Sequence, residues 1–381
     1  MFNPFKKAQI RGRKRLRKAT STAMGQMTSA MFPKPPAGKA RPKSKTPAKS
    51  TGRTPSRPKA GPHPTVKPSK SVPPSSATTR SRKALPRGAS FGWRTHDCEV
   101  GSLTYKLYVP ACACATVQPL PVLMMLHGCG QTPDDFARGT GMNALAEELG
   151  IIVVYPAQER RSQQNRCWNW YRRGDQVRGA GEPALLASLT RDVASTAPAD
   201  PARVYVAGLS AGASMALILA ATYPDIFAAV GAHSGLAWGA ARDATTAALA
   251  MRHGAPGHRS PGPMPTIVFH GEDDKVVHVR NGRFIASRAA AAYDGLRRTE
   301  LSSRGHGGHP FVRQSHRRGK GRSFTEFWVV KDAGHAWSGG SRAGRFADPA
   351  GPDASREMMR FFLQHRTTSK QRKAAQLADA A

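Results

Sequence analysis

The chain has 381 residues, 58 Lys and Arg against 24 Asp and Glu, and a net charge of +34. The imbalance is concentrated at the start: residues 1–90 carry 23 Lys and Arg, no Asp or Glu and 14 of the 30 prolines, which leaves +11 for the remainder. This excludes a packed core in that segment, because its sparse apolar surface cannot offset the entropy of ordering a charged, proline-dense chain.

Residues 1–90 are therefore expected to form a disordered basic segment, 91–366 one α/β domain of ordinary size, and 367–381 a short tail. Counterion release gives the basic segment an expected affinity for a polyanion or an anionic surface. Its alternative role is a solvated spacer. No aromatic residue lies between Phe32 and Phe91, so stacking on bases is not expected. Lys6, Lys7 and the cluster from Arg11 to Lys18 resemble the charged start of a secretory signal. The stretch from Ala19 to Phe32, however, is broken by Thr, Ser, Gln and Gly. No run reaches the roughly 18 apolar residues that a membrane span needs, so a soluble protein is expected.

Five cysteines, Cys98, Cys112, Cys114, Cys129 and Cys167, are too few for a disulfide scaffold, and none forms a C-x-x-C pair suited to zinc. Cys112 and Cys114 read as loop thiols, with one of them open to pairing with Cys98.

Along the chain, Leu103 to Val109 alternates and reads as an outer strand. Pro121 to Leu126 is a continuous apolar run suited to a central strand, ending in the Gly-rich His127-Gly128-Cys129-Gly130-Gln131. Met142 to Leu149 reads as a helix, Ile151 to Tyr155 as a buried strand, and Cys167 to Tyr171 as an aromatic loop. Glu182 to Ala194 is helical. Val204 to Ala207 is a strand, followed by a buried helix from Ala211. Ala228 to Ala232, Thr266 to Phe269 and Phe324 to Val330 are further strands, and Ser355 to His365 is a terminal amphipathic helix. Gly239 to Pro263 and Ser302 to Arg322 read as surface insertions. Their histidines (His253, His258, His306, His309 and His316) lack metal-ligand spacing. Strands alternating with helices predict an α/β fold with a mostly parallel sheet covered on both faces, and a site at the carboxyl ends of the strands.

The motifs sit at those ends. Gly208-Leu209-Ser210-Ala211-Gly212 is a G-x-S-x-G turn between strand and helix, which projects a serine hydroxyl from a tight bend. A serine hydroxyl is a weak nucleophile and needs a base, which in turn needs an orienting carboxylate. Asp274 follows the strand that ends in His270-Gly271, with Asp273 as the near alternative. His335 follows the last strand. The developing oxyanion needs donors, expected from the N–H of Ala211 and from the N–H of Cys129 in the Gly-rich loop. Cys129 as nucleophile is the poorer reading, since Ser210 already holds that position. Trp168, Trp170, Tyr171 and Trp337 flank these motifs and suit an aromatic-lined cleft for an acyl chain, or else the core. Arg172 and Arg173 read as solvated. No metal or cofactor is expected.

These stretches, together with Cys167-Trp-Asn-Trp170, Gly334-His-Ala-Trp-Ser-Gly339 and Asp348-Pro-Ala-Gly-Pro-Asp-Ala-Ser355, resemble the polyhydroxybutyrate depolymerase family of esterases. The catalytic type is shared with some feruloyl and acetylxylan esterases. The resemblance implies an α/β-hydrolase fold and a triad of Ser210, Asp274 and His335. It also implies a carboxylic ester as substrate, with poly-3-hydroxybutyrate or its oligomers first and feruloyl or acetyl groups of polysaccharide second. Cys129 and Cys167 each fall inside a matching motif, so a bridge between them is implied too. Members are commonly extracellular, whereas the unclear signal peptide leaves the cytoplasm as the alternative. A reading from another class takes the chain as a polyanion- or granule-binding protein with a hydrolase scaffold. A filled set of catalytic groups argues against it.

Overall fold

The computed structural model describes residues 85–369 and 371, apart from 117, 197 and 304–307. The expected basic segment therefore lies outside the described residues except for 85–90, as does most of the expected C-terminal tail.

One ten-stranded sheet organises the domain. Its strands are β1 (Ser90–Cys98), β2 (Gly101–Val109), β3 (Leu120–Leu126), β4 (Ile152–Pro156), β5 (Ala199–Leu209), β6 (Ala229–His233), β7 (Thr266–Gly271), β8 (Arg297–Ser303), β9 (Phe311–Arg317) and β10 (Ser323–Val330). They lie in the order β1-β2-β4-β3-β5-β6-β7-β10-β9-β8. The six strands from β4 to β10 are parallel, and each edge is closed by antiparallel neighbours. The α/β expectation holds.

Seven helices accompany the sheet among the described residues: α1 (Pro133–Thr140), α2 (Met142–Leu149), α3 (Gly181–Thr196), α4 (Ala211–Thr222), α5 (Ala244–His253), α6 (Arg280–Ala290) and α7 (Ala354–Phe362). Every residue of β3 is buried because helices cover both faces. The period of two sends Val122, Met124 and Leu126 into one core, with Leu186, Met215 and Leu219 of α3 and α4. Leu123 and Met125 enter the other, with Phe136, Met358 and Phe362. In α7 the buried Ala354, Met358, Phe361 and Phe362 follow helical spacing, and Asp353 caps the start by accepting the Arg356 N–H at 2.9 Å. This stripe lies against β6 at Gly231, where an added Cβ would come within 2.8 Å of Met358 Sδ.

Three expectations change. Leu103 to Val109 is not the outermost strand, because β1 pairs along its whole length. The stretch 239–263 contains α5, and 302–322 contains β9 and the end of β8. These are not simple loops. Strands β8 and β9 carry arginines and few apolar residues because they sit at the sheet edge with no layer to fill, so hydrophobic periodicity is weak there. Among the histidines placed in those stretches, His258 packs edge-on against Trp238, His309 Nε2 lies 2.9 Å from Asp348 Oδ2, and His316 is part of β9. His306 is outside the described residues. No helix among the described residues is long and apolar enough to cross a membrane.

Candidate active site

Strand β5 passes into α4 through Ser210, whose backbone takes φ 57° and ψ −118°. That left-handed region is costly for a residue with a Cβ, by about 1–3 kcal/mol, and persists only when its surroundings over-determine it. Here they do. A Cβ on Gly208 would sit 2.4 Å from the Gly212 carbonyl carbon, and one on Gly212 would sit 2.1 Å from Leu126 O. Only glycines allow strand, turn and neighbouring strand to approach so closely. The Ser210 N–H donates to His233 O at 2.9 Å, which fixes the turn against β6.

His335 and Asp274 meet from adjacent strand ends. Asp274 follows β7 and His335 follows β10, and Gly271 lets the two loops touch, since a Cβ there would lie 2.3 Å from Ala333 O. His335 Nδ1 donates to Asp274 Oδ2 at 2.7 Å. The other carboxylate oxygen accepts the N–H groups of Val276 and Val277 at 2.9 and 2.8 Å. Burial pushes the Asp274 carboxyl up, but the hydrogen bond and charge of His335, the nearby His270 and the Val277 amide together bring it down to about 2. Asp274 is therefore an anion held in one orientation. Asp273 is exposed, its carboxylate 3.7 Å from Lys275 Nζ. Of the two candidate carboxylates, Asp274 is the one bonded to His335. His270, whose Nε2 donates to Val277 O at 2.7 Å, braces the same turn from below.

With Nδ1 engaged, His335 Nε2 is left for the cleft. Ser210 and His335 line one cleft with Gly128, Cys129, Leu209, Val276 and Phe346. The amides of Cys129 and Ala211 donate to no protein acceptor among the described residues. His127 is buried, its Nδ1 donating to Gly128 O at 2.8 Å and its Nε2 accepting the Gln158 N–H at 3.1 Å. This orients the peptide that carries the Cys129 N–H.

Cys129 is bonded to Cys167, closing a loop over a sequence separation of 38 residues. By loop-closure entropy such a bridge stabilises the fold by about 3–4 kcal/mol. Cys98, Cys112 and Cys114 are free thiols, so neither Cys112 nor Cys114 pairs with Cys98.

The aromatic cleft expectation is corrected. Trp168, Trp170 and Trp337 are 3%, 3% and 1% exposed, and none of them lines the cleft that holds Ser210. Trp168 Nε1 donates to His127 O at 3.0 Å, and Trp337 Nε1 donates to Ser355 Oγ at 3.0 Å while its ring stacks on His233. Large rings beside the motifs anchor the loops from behind, because burying them contributes more than lining a small cleft would. Tyr171 is likewise buried, edge-on to Trp170.

Sequence analysis assigned no role to four residues here, Arg345, Asp135, Gln131 and Phe346. Arg345 donates its backbone N–H to Asp135 Oδ1 at 3.1 Å, and its carbonyl accepts from Gln131 Nε2 at 2.9 Å. Its guanidinium reaches Gly130 O. The fourth is Phe346, in the cleft wall. These contacts join residues more than 200 positions apart, and no local pattern announces them. Beneath the aromatic loop, the Glu182 carboxylate accepts from Asn169 N at 2.7 Å and from Asn169 Nδ2 and Gln158 Nε2, both at 2.5 Å. No group of three or more His, Cys, Asp or Glu among the described residues could hold a metal ion.

The buried ionisable groups make stability depend on pH. Burial pushes His127 down to about 4, His233 to about 3 and His365 to about 4. Each lies below the unfolded value near 6.5, so each histidine's contribution is complete above pH 6.5 and is lost as pH falls toward the folded value. Burial raises Glu182 to about 7 despite its hydrogen bonds. Its contribution has the opposite sign, present below the unfolded value and lost as pH rises through 7. The buried histidines outnumber the glutamate, so stability is expected to fall as pH drops from 6.5 toward 4.5. Thermal unfolding at pH 7.5, 6.0 and 5.0 should show Tm dropping with each step. A constant Tm across that range would contradict these assignments.

The profile described as Esterase PHB depolymerase matches residues 103–296. The chain belongs to that family. Within the Esterase PHB depolymerase family it is similar to poly(3-hydroxyalkanoate) depolymerase C of Paucimonas lemoignei, 32% identical over 230 residues that cover 56% of this chain and 54% of the relative. It is also similar to feruloyl esterase B of Neurospora crassa, 31% identical over 180 residues that cover 42% of this chain and 60% of that one. The chain thus spans about half the length of the relatives it matches. Among solved structures, an acetyl xylan esterase from Aspergillus awamori superposes with a TM-score of 0.55 at 18% identity, covering 72% of this chain and 99% of that one. That likeness concerns the fold, an α/β-hydrolase sheet with its helices.

Proposed function

We propose that the chain is a serine esterase acting through an acyl-enzyme. The observation that carries this reading is the placement of Ser210 on a strained elbow in the same cleft as a histidine whose Nδ1 is held at 2.7 Å by a buried carboxylate. His335 Nε2 takes the Ser210 proton as Oγ attacks the ester carbonyl, and Asp274 stabilises the imidazolium that forms. The carbonyl oxygen, now negative, is received by the N–H groups of Ala211 and Cys129. Each such donor typically supplies about 3 kcal/mol of transition-state stabilisation. His335 returns the proton to the leaving alkoxide. Water activated by the same imidazole then releases the acid. Every proton in this cycle is carried by the protein's own side chains.

The substrate favoured is a short-chain polyhydroxyalkanoate, poly-3-hydroxybutyrate or its oligomers, in keeping with the family and with the Paucimonas lemoignei relative. Residues 1–90 are proposed to hold the enzyme to a polyanion or an anionic surface through their charge. The test is a panel of 3-hydroxybutyrate trimer, polymer film, methyl ferulate and acetylated xylan. Release of 3-hydroxybutyrate from trimer faster than ferulate or acetate from the others is the expected result. Preference for methyl ferulate or acetylated xylan would move the reading to those esterases.

A further inference from the structure

The segment after His335 leads to Phe346, a cleft residue the mechanism does not use. Two short strands, β11 (Trp337–Ser338) and β12 (Ala347–Asp348), pair in parallel. The strap between them delivers Phe346 to the cleft wall. Phe346 takes φ 53°, one of five non-glycine residues among those described with positive φ, and one of two in the cleft wall, the other being Ser210. Bulky side chains seldom adopt that region unless something holds them there.

Its neighbours hold it. The Trp337 N–H donates to Phe346 O at 2.7 Å. Arg345, immediately before, accepts at its carbonyl from Gln131 Nε2 of the Gly-rich loop and donates its N–H to Asp135 Oδ1 of helix α1. Its guanidinium reaches Gly130 O and lies 3.5 Å from Asp135 Oδ2. The strap is therefore fastened to the loop that carries the Cys129 amide. Phe346 lines the cleft together with Gly128, Cys129, Leu209, Ser210, Val276 and His335.

We propose that Phe346 sets the length of the acyl group the site accepts, restricting it to short acyl chains. The proposal rests on the serine esterase reading above. Shortening the side chain enlarges the cleft at Phe346, and each further methylene of substrate buried there is worth about 0.8 kcal/mol, about fourfold in kcat/KM.

The experiment compares the full chain with Phe346→Ala and Phe346→Leu on p-nitrophenyl acetate, butyrate, hexanoate and octanoate. The readout is the octanoate-to-acetate ratio of kcat/KM. It is expected to be low in wild type, to rise at least tenfold in Phe346→Ala, and to rise less in Phe346→Leu. The leucine variant, closest in bulk, keeps the test available if alanine impairs folding. An unchanged ratio in folded variants overturns the proposal, as does a loss uniform across all four esters, which would mean that Phe346 only supports the strap. Wild type inactive on every ester would instead overturn the esterase reading and the proposal with it.

Discussion

Ser210→Ala is expected to lower kcat on a soluble p-nitrophenyl ester by about 10⁴- to 10⁶-fold, the range typical for loss of a triad nucleophile. The change removes one oxygen from a side chain whose structural duties belong to its backbone: the N–H donates to His233 O and the carbonyl accepts the Ser214 N–H at 3.0 Å. Alanine preserves both bonds and the same strained φ. Activity and stability should therefore separate, with turnover gone and Tm within a few degrees of wild type. Equal turnover in the two proteins would reduce the elbow to architecture and shift attention to residues 1–90. If turnover were lost but Tm fell steeply as well, unfolding would account for the loss and the nucleophile would need another test, such as covalent labelling by a fluorophosphonate.

Asp274→Asn should cost about 10⁴-fold in kcat, the typical penalty when the orienting carboxylate becomes an amide. Asparagine can keep an oxygen toward the Val276 and Val277 N–H groups, so the turn stays formed. Its NH₂ then faces His335 Nδ1 and requires that nitrogen to accept. The proton moves to Nε2, on the cleft side, where the base must be empty. Asp273→Asn alters only an exposed carboxylate 3.7 Å from Lys275 and should leave kcat within about twofold, as surface ion pairs contribute little. Comparable losses in both variants would show that the order of the two carboxylates has been misread. With its folded pKa near 2, Asp274 remains ionised throughout the usual assay range. Any acid limb in kcat/KM above pH 4 must then arise from another group.

The elbow could be read from sequence because strand, Gly-x-Ser-x-Gly and helix are consecutive, and the demand for glycine at 208 and 212 is local sterics. Asp274 could be preferred from sequence, with Asp273 kept as the near alternative, since both lie three or fewer positions past Gly271. The choice depends on which carboxylate turns inward to the Val276 and Val277 amides and to a histidine 61 positions later. The tryptophans were left open between cleft and core, and burial puts Trp168, Trp170 and Trp337 in the core: linear proximity to a motif does not say whether a ring looks into the cleft or into the core. Strands β1, β8 and β9 were missed for a related reason. At the sheet edges no covering layer imposes hydrophobic alternation.

By itself the sequence determined the α/β class, the buried central strands and the residue types at their carboxyl ends, because periodicity and tight turns are imposed within a few residues. The partner of His335 and the Cys129–Cys167 bridge were implied only by family resemblance and are seen as contacts in the tertiary structure, which alone revealed the strap that brings Arg345 against Gly130 and Phe346 against the cleft. Each of these joins segments dozens to hundreds of residues apart. Such contacts follow from how strand ends converge once the sheet has formed, and no local preference in the chain encodes them.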